Sequence, residues 1–279
     1  MEPSVFLAVI AAAAMHAGWN AILKIRLDPL VAVVLITAAC SAIALPAALW
    51  FGPPPAHVWP WIIGSITVHL VYYLTLTGAY RRADMGFVYP LARGGSPLIT
   101  TLFSLALLGE PIDAQGVLGV VVLAAGVLAI AWRPRSGGFD ARALVLALAC
   151  AFSIAVYSVI DGMGARATGS PHLYSAWLFL LEGPCVATVA LIRLGPAALR
   201  PAAGFLLPGI LGGAMSLSAY WITIWAMTKA PIGLVAAVRE SSVMFAALIA
   251  VVVLREPLNL ARLGAAALIV LGLALIKLH

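Results

Sequence analysis

Apolar residues run almost without interruption in stretches of about twenty, the length that one helical crossing of a bilayer core requires. The runs fall at 4–25, 30–51, 58–80, 85–108, 114–132, 143–162, 172–193, 205–228, 231–253 and 259–277. Lipid offers the backbone no partner, so each run is predicted to be a helix whose groups bond within itself. Turn residues separate the runs: Asp28-Pro29, Gly52 to Pro55, Asp84, Glu110-Pro111, Arg133 to Gly138, Gly169 to Pro171, Gly195-Pro196, Pro231 and Glu256-Pro257. The longest polar break, Arg133 to Gly138, lies midway and predicts a joint between residues 1–136 and 137–279.

The two halves align with each other. Ala83-Asp84-Met85-Gly86-Phe87-Val88 matches Ala230-Pro231-Ile232-Gly233-Leu234-Val235, and Arg93 then matches Arg239. Seventeen residues after each arginine stands Glu-Pro, at Glu110-Pro111 and Glu256-Pro257. Gly126-Val127-Leu128-Ala129 matches Gly272-Leu273-Ala274-Leu275, and Tyr73 matches Tyr220. A repeat with five crossings inserts its second copy upside down, an arrangement found in secondary transporters. The expected fold is therefore an all-α polytopic membrane protein with ten transmembrane helices, built as two inverted five-helix repeats.

Charge placement gives an orientation. Loops after runs 1, 3, 5, 7 and 9 hold eleven of the 16 Lys and Arg, the other side holds Arg166, Lys229 and Lys277, and Arg93 and Arg239 lie within runs. The positive-inside bias predicts odd loops in the cytoplasm and both termini outside, in a multi-pass protein of the cytoplasmic membrane. The net charge of +6 thus sets topology and does not point to nucleic acid. Composition agrees: 64% apolar, 9% charged, mean hydropathy +1.10. Soluble domains have about 25% charged residues. The chain start lacks a basic n-region and reads as the first crossing, not a leader. Cys40, Cys150 and Cys185 lie in apolar runs without metal-ligand spacing and read as buried thiols. No metal or cofactor is expected.

The twin Glu-Pro turns, the Gly-x-Val…Arg stretches of runs 4 and 9 and the five-plus-five arrangement resemble the EamA-type transporters of the drug/metabolite transporter superfamily. The resemblance covers essentially the whole chain. It implies export or uptake of small organic solutes by alternating access, proton-coupled or by exchange. His16-Ala17-Gly18-Trp19-Asn20…Lys24 in run 1 also looks like a subgroup associated with phosphonate utilisation, so uptake of an organophosphonate-type solute is the alternative to an amino acid or related zwitterion.

Ionisable groups at membrane depth are costly and mark sites. Arg93 and Arg239 are repeat equivalents whose planar forks fit a carboxylate or phosphonate, and they are the predicted anion clamp. Glu240 follows Arg239 directly; side chains of helical neighbours point about 100° apart, so the two are not expected to share a face. Glu182 sits in Leu181-Glu182-Gly183-Pro184, where the proline can open the helix. A carboxyl kept from water favours its protonated form, so Glu182 is the predicted proton carrier, with pairing to Arg239 or Arg93 as the competing role. These four charges sum to zero and suit a zwitterion. His16, Trp19 and Asn20 form a stripe on run 1, matched on run 6 by Ser153, Val156, Tyr157 and Asp161. His69, Tyr73, Tyr89, Tyr157 and Trp221 complete the candidate cavity. Pro90, Gly94-Gly95 and Pro97 around Arg93 predict a distorted run 4. Glu110 and Glu256 read as helix-capping residues. Runs 5 and 10, rich in Gly, read as scaffold or as a homodimer interface.

Other function classes lack their residues. There is no His-Glu-x-x-His pair, no Gly-x-Ser-x-Gly elbow and no phosphate-binding loop. An intramembrane enzyme or an ATP-driven pump is therefore not expected of this chain, and its partners are a small solute and the lipid bilayer.

Overall fold

The computed structural model describes residues 1–22, 27–83, 85–131, 140–252 and 260–278. The helices in chain order are α1 (Pro3–Ile22), α2 (Pro29–Phe51), α3 (Trp59–Tyr80), α4 (Met85–Ala106), α5 (Ala114–Ala131), α6 (Ala141–Thr168), α7 (Pro171–Leu194), α8 (Leu206–Met227), α9 (Ile232–Arg239), α10 (Ser242–Val252) and α11 (Leu260–Leu278). Tight 3₁₀ turns at Ala56–Val58 and Pro196–Phe205 precede α3 and α8, and no strand occurs among the described residues. Helix starts follow side-chain chemistry. Asp28 accepts from Leu30 N (2.9 Å) ahead of Pro29, and Asp140 accepts from Arg142 N (2.8 Å). Gly169, at φ 69°, closes α6 in the left-handed conformation that glycine adopts without strain.

Six helical stretches, Pro29–Phe51, Ala56–Tyr80, Ala141–Thr168, Pro171–Leu194, Pro196–Met227 and Ile232–Ile249, are long and apolar enough to cross a membrane. Pro3–Trp19, Ala114–Ala129 and Leu263–Leu278 are shorter apolar helices. Large apolar side chains point outward, among them Trp50 (86% exposed) and Ile192 (80%), as a lipid-facing surface requires. The predicted joint near residues 133–138 and the Glu256-Pro257 turn lie outside the described residues.

Packing respects an exchange of the two halves. The α1–α8 contact has its counterpart in α6–α3, and α4–α6 has its counterpart in α9 and α10 against α1. The α2–α7, α4–α9 and α5–α11 contacts map onto themselves. The α5–α11 seam runs antiparallel: Gly119 meets Gly272 and Ile276, while Gly126 meets Ala265 and Ile269. The glycines of runs 5 and 10 thus close on each other within the chain. These small-residue faces pack within the chain as a scaffold, while Leu118, Val121 and Leu271 on the same helices stay exposed. A Cβ at Gly272 would lie 2.6 Å from Leu123 N and 2.7 Å from Gly119 O, and backbone cannot yield as a side chain can. Gly272→Ala is therefore expected to lower stability by about 1–3 kcal/mol, which outweighs the roughly 0.5–1 kcal/mol gained in helix propensity. Gly264→Ala, with open space around it, should hold or raise the detergent melting temperature. Equal melting temperatures for the two variants would contradict the seam.

Candidate functional site

The ninth apolar run does not form one helix. The chain leaves α9 at Arg239, makes a tight turn through Glu240-Ser241, and resumes as α10. Bonds from Glu240 N to Ala237 O (3.0 Å) and from Ser241 N to Val238 O (3.1 Å) are the i→i−3 type of a tightened turn. The break re-aims Glu240, so that its Oε1 accepts from Arg239 Nε (3.4 Å) and Nη2 (3.3 Å). Adjacent residues therefore do share a face here, contrary to the expectation for an unbroken helix. From α4, Arg93 Nη1 reaches Glu240 Oε1 (3.2 Å) and Oε2 (3.3 Å). The result is a buried triad of two guanidiniums on one carboxylate, with Arg93, Arg239 and Glu240 at 4%, 3% and 0% exposure.

The clamp residues carry further partners. Tyr89 lies under Arg93, 5.3 Å from guanidinium carbon to ring centre, and Tyr220 lies 5.5 Å under Arg239. His16 Nε2 contacts Arg93, and Trp19 Nε1 lies 3.2 Å from His16 Nδ1. Guanidinium and indole only donate, and a neutral imidazole has one acceptor nitrogen, so one of these two contacts at a time is a hydrogen bond. Asn20 belongs to α1, and its side chain lies outside the described residues. The buried hydroxyls of Tyr89, Ser241 and Ser242 have no hydrogen-bond partner among the described residues.

A second polar cluster faces the triad across an aromatic layer. Glu182 Oε1 accepts from the Tyr73 hydroxyl (3.1 Å) and lies 3.8 Å from His69 Nδ1. Neither arginine pairs with Glu182 among the described residues, which removes the competing role foreseen for it. The His69 ring stacks on Tyr157 at 4.0 Å, and Tyr157 meets Tyr220 edge-on at 5.9 Å. Asp161, with no exposed surface, accepts from the Tyr174 hydroxyl (2.9 Å) and from the Tyr220 hydroxyl. The apolar pattern gives Asp161 no role of its own because run 6 ends at residue 162, whereas α6 continues to Thr168. Trp221 stands apart from the triad: its Nε1 donates to His172 Nδ1 (2.9 Å) and its ring stacks on Phe179.

The prolines behave differently from expectation. α4 is a continuous helix from Met85 to Ala106, and the break sits in the proline-free second copy. Pro97 has no N–H for the carbonyl of Arg93, and the Ser96 hydroxyl donates to that oxygen instead (3.3 Å). In α7, ahead of Pro184, the Ser41 hydroxyl of α2 enters the helix ladder. It accepts from Gly183 N (3.2 Å) and donates to Phe179 O (2.6 Å). Gly94 and Gly95 serve close approach, lying against Leu128 and Ala151.

At one end of the bundle, Glu110 ties four segments together. Its Oε1 accepts from Arg166 Nη2 (2.6 Å) and its Oε2 from Ile232 N (2.7 Å), at the start of α9. Arg166 also donates to Met227 O (2.9 Å) and Ala230 O (3.1 Å). Glu110 thus caps α9, not α5 as its place beside Pro111 suggested. A cavity of about 410 Å³ adjoins this link, lined by Arg166, His172, Trp225 and Lys229 among others.

Comparison with known proteins gives two findings. A crystal structure of another protein shares the fold, at 23% identity, over 100% of this chain and 98% of that one, with a TM-score of 0.83. The model of the EamA-like transporter family matches residues 3–132 and 141–278, one stretch in each half. Both halves of the sequence carry the family's pattern, and the chain belongs to the EamA-like transporter family.

Proposed function

We propose that this protein is a secondary carrier for a small organic solute bearing a carboxylate or phosphonate group, an amino acid or a related zwitterion. In this reading ten helices cross the membrane as two inverted five-helix repeats. The solute binds between them and reaches either side by alternating access. The carrying observation is the buried triad, in which two guanidiniums share one carboxylate and keep N–H donors in excess of what that carboxylate takes up. Two planar forks at one place fit the oxygens of a carboxylate or phosphonate, so an acidic group is the favoured fourth member. Each guanidinium has five N–H donors, and Glu240 engages only some of them. The partnerless hydroxyls of Ser241, Ser242 and Tyr89 add donors at the same place. Glu182, beyond the aromatic layer, is the place for a solute ammonium or a coupling proton.

Odd loops then face the cytoplasm and both termini lie outside, which reporter fusions at the C-terminus test directly. The function is tested with purified protein in liposomes preloaded with amino acids or aminophosphonates, by following counterflow of a labelled member of each class. Saturable counterflow of an anionic or zwitterionic member is the expected result. Proton-gradient-driven uptake should be lost in Glu182→Gln while counterflow remains. Transport restricted to solutes with no acidic group would refute the clamp. Unchanged proton-driven uptake in Glu182→Gln would remove Glu182 from coupling.

A further inference from the structure

Asp161 is a fully buried carboxylate for which the solute clamp has no use. Groups face it from the helices packed on that part of α6: Tyr174 of α7, Tyr220 of α8 and, through the Tyr220 ring, His69 of α3 and Arg239 of α9. Tyr220, whose hydroxyl donates to Asp161, meets the His69 ring edge-on at 5.9 Å, and His69 Nδ1 lies 3.1 Å from Ser65 Oγ and 3.8 Å from Glu182. Glu182, His69, Tyr220 and Asp161 therefore lie one against the next, with the two rings between the two buried carboxyls.

Charge arithmetic gives that path a content. Apart from Glu110, which is paired with Arg166 at one end of the bundle, the buried Arg, Asp and Glu residues among the described residues are Arg93, Arg239, Glu240, Glu182 and Asp161, two positive and three negative. Asp161 thus upsets the neutral sum foreseen from the other four. An uncompensated charge at this depth costs several kcal/mol, and one proton removes it. Glu240 already accepts hydrogen bonds from both guanidiniums. His16 meets two donors, the Arg93 guanidinium and the Trp19 indole, and so serves there as an acceptor. The proton falls to the remaining carboxyls, which cannot both stay ionised without mutual repulsion.

We propose that Asp161 and Glu182 form one proton-binding site, a carboxyl pair that holds a single proton across Tyr220 and His69 when no solute is bound. The proposal deepens the carrier reading and rests on it for the use to which the proton is put. The pair titrates as a unit, and neither residue owns the proton.

The test is an infrared pH titration of the solute-free protein in liposomes, following the C=O stretch of protonated carboxyl groups. Near neutral pH exposed carboxylates are ionised, so the parent is expected to show one buried-carboxyl band that disappears on alkalinisation. Asp161→Asn and Glu182→Gln should each abolish the band, because the charges left behind already balance. A parental band in Asp161→Asn overturns the proposal, and so does a parent without any band. Tyr174→Phe and Tyr220→Phe keep both carboxyls and guard against misfolding of the first pair: each should keep the band and shift its titration midpoint. Unchanged midpoints in both would also overturn the proposal. A band that behaves as expected in a protein showing no proton-driven flux would refute the coupling role and leave the site standing.

Discussion

Arg239→Ala and Arg93→Ala are each expected to abolish solute flux in liposomes while the protein still inserts and folds. Either change takes the triad from a net positive charge to neutrality and removes the attraction for an acidic group. Truncating one member of a buried, hydrogen-bonded charge pair costs about 2–5 kcal/mol. At about 1.4 kcal/mol per tenfold, that is roughly a 30- to 4,000-fold loss in apparent affinity.

The two arginines should differ in a second readout. Arg93 touches both oxygens of Glu240, contacts His16 and covers Tyr89, so its loss should lower the melting temperature more. Arg239 meets only one oxygen and keeps more of its fork for solute, so its loss should fall more heavily on flux than on melting. Lysine at either place keeps the charge without the fork and should restore only part of the flux. Flux at the parental rate in both alanine variants would remove the clamp.

The clamp is legible in the sequence because a permanent charge inside an apolar run is too costly to stand there without a partner or a solute to meet. Its third member is visible as a residue but not in its place, since Glu240 joins Arg239 only where the helix breaks. No proline or glycine marks that break; the local sequence is Arg-Glu-Ser-Ser. The prolines around Arg93, which suggest a distortion, sit in a helix whose freed carbonyl is taken up by Ser96. Asp161 is legible only as a counterpart of the run-1 stripe, and its full burial is hidden for a geometric reason. The end of an apolar run marks where side chains turn polar, but α6 continues almost two turns past that point inside protein. The Glu110 contacts cannot be read from chain neighbours at all, because Ile232 lies 122 residues away along the chain.

Glu110→Gln is expected to open the end of the bundle that this carboxylate holds shut. The link joins the ends of α4, α6 and α8 to the start of α9, and Gly233 N donating to Ser104 Oγ (2.8 Å) adds to it. A carrier that alternates must break such a link in each cycle, and in the proposed orientation this mouth faces away from the cytoplasm. The amide can still accept from Ile232 N, but the charge that fixes Arg166 is gone. Hydrogen bonds to charged groups contribute about 1.5–3 kcal/mol, so the closed-to-open ratio should fall roughly 10- to 150-fold, at about 1.4 kcal/mol per tenfold. Arg166→Ala should fall at or beyond the upper end, because the carbonyls of Met227 and Ala230 lose their donor as well. Spin labels at Leu107 and Lys229, both exposed, report the change as a distance distribution shifted to longer values once Cys40, Cys150 and Cys185 are replaced. Slower counterflow should accompany the shift, since a mouth that rarely closes stalls the cycle. Identical distance distributions in parent and both variants would mean that other contacts hold this end, and that Glu110 serves only to cap α9.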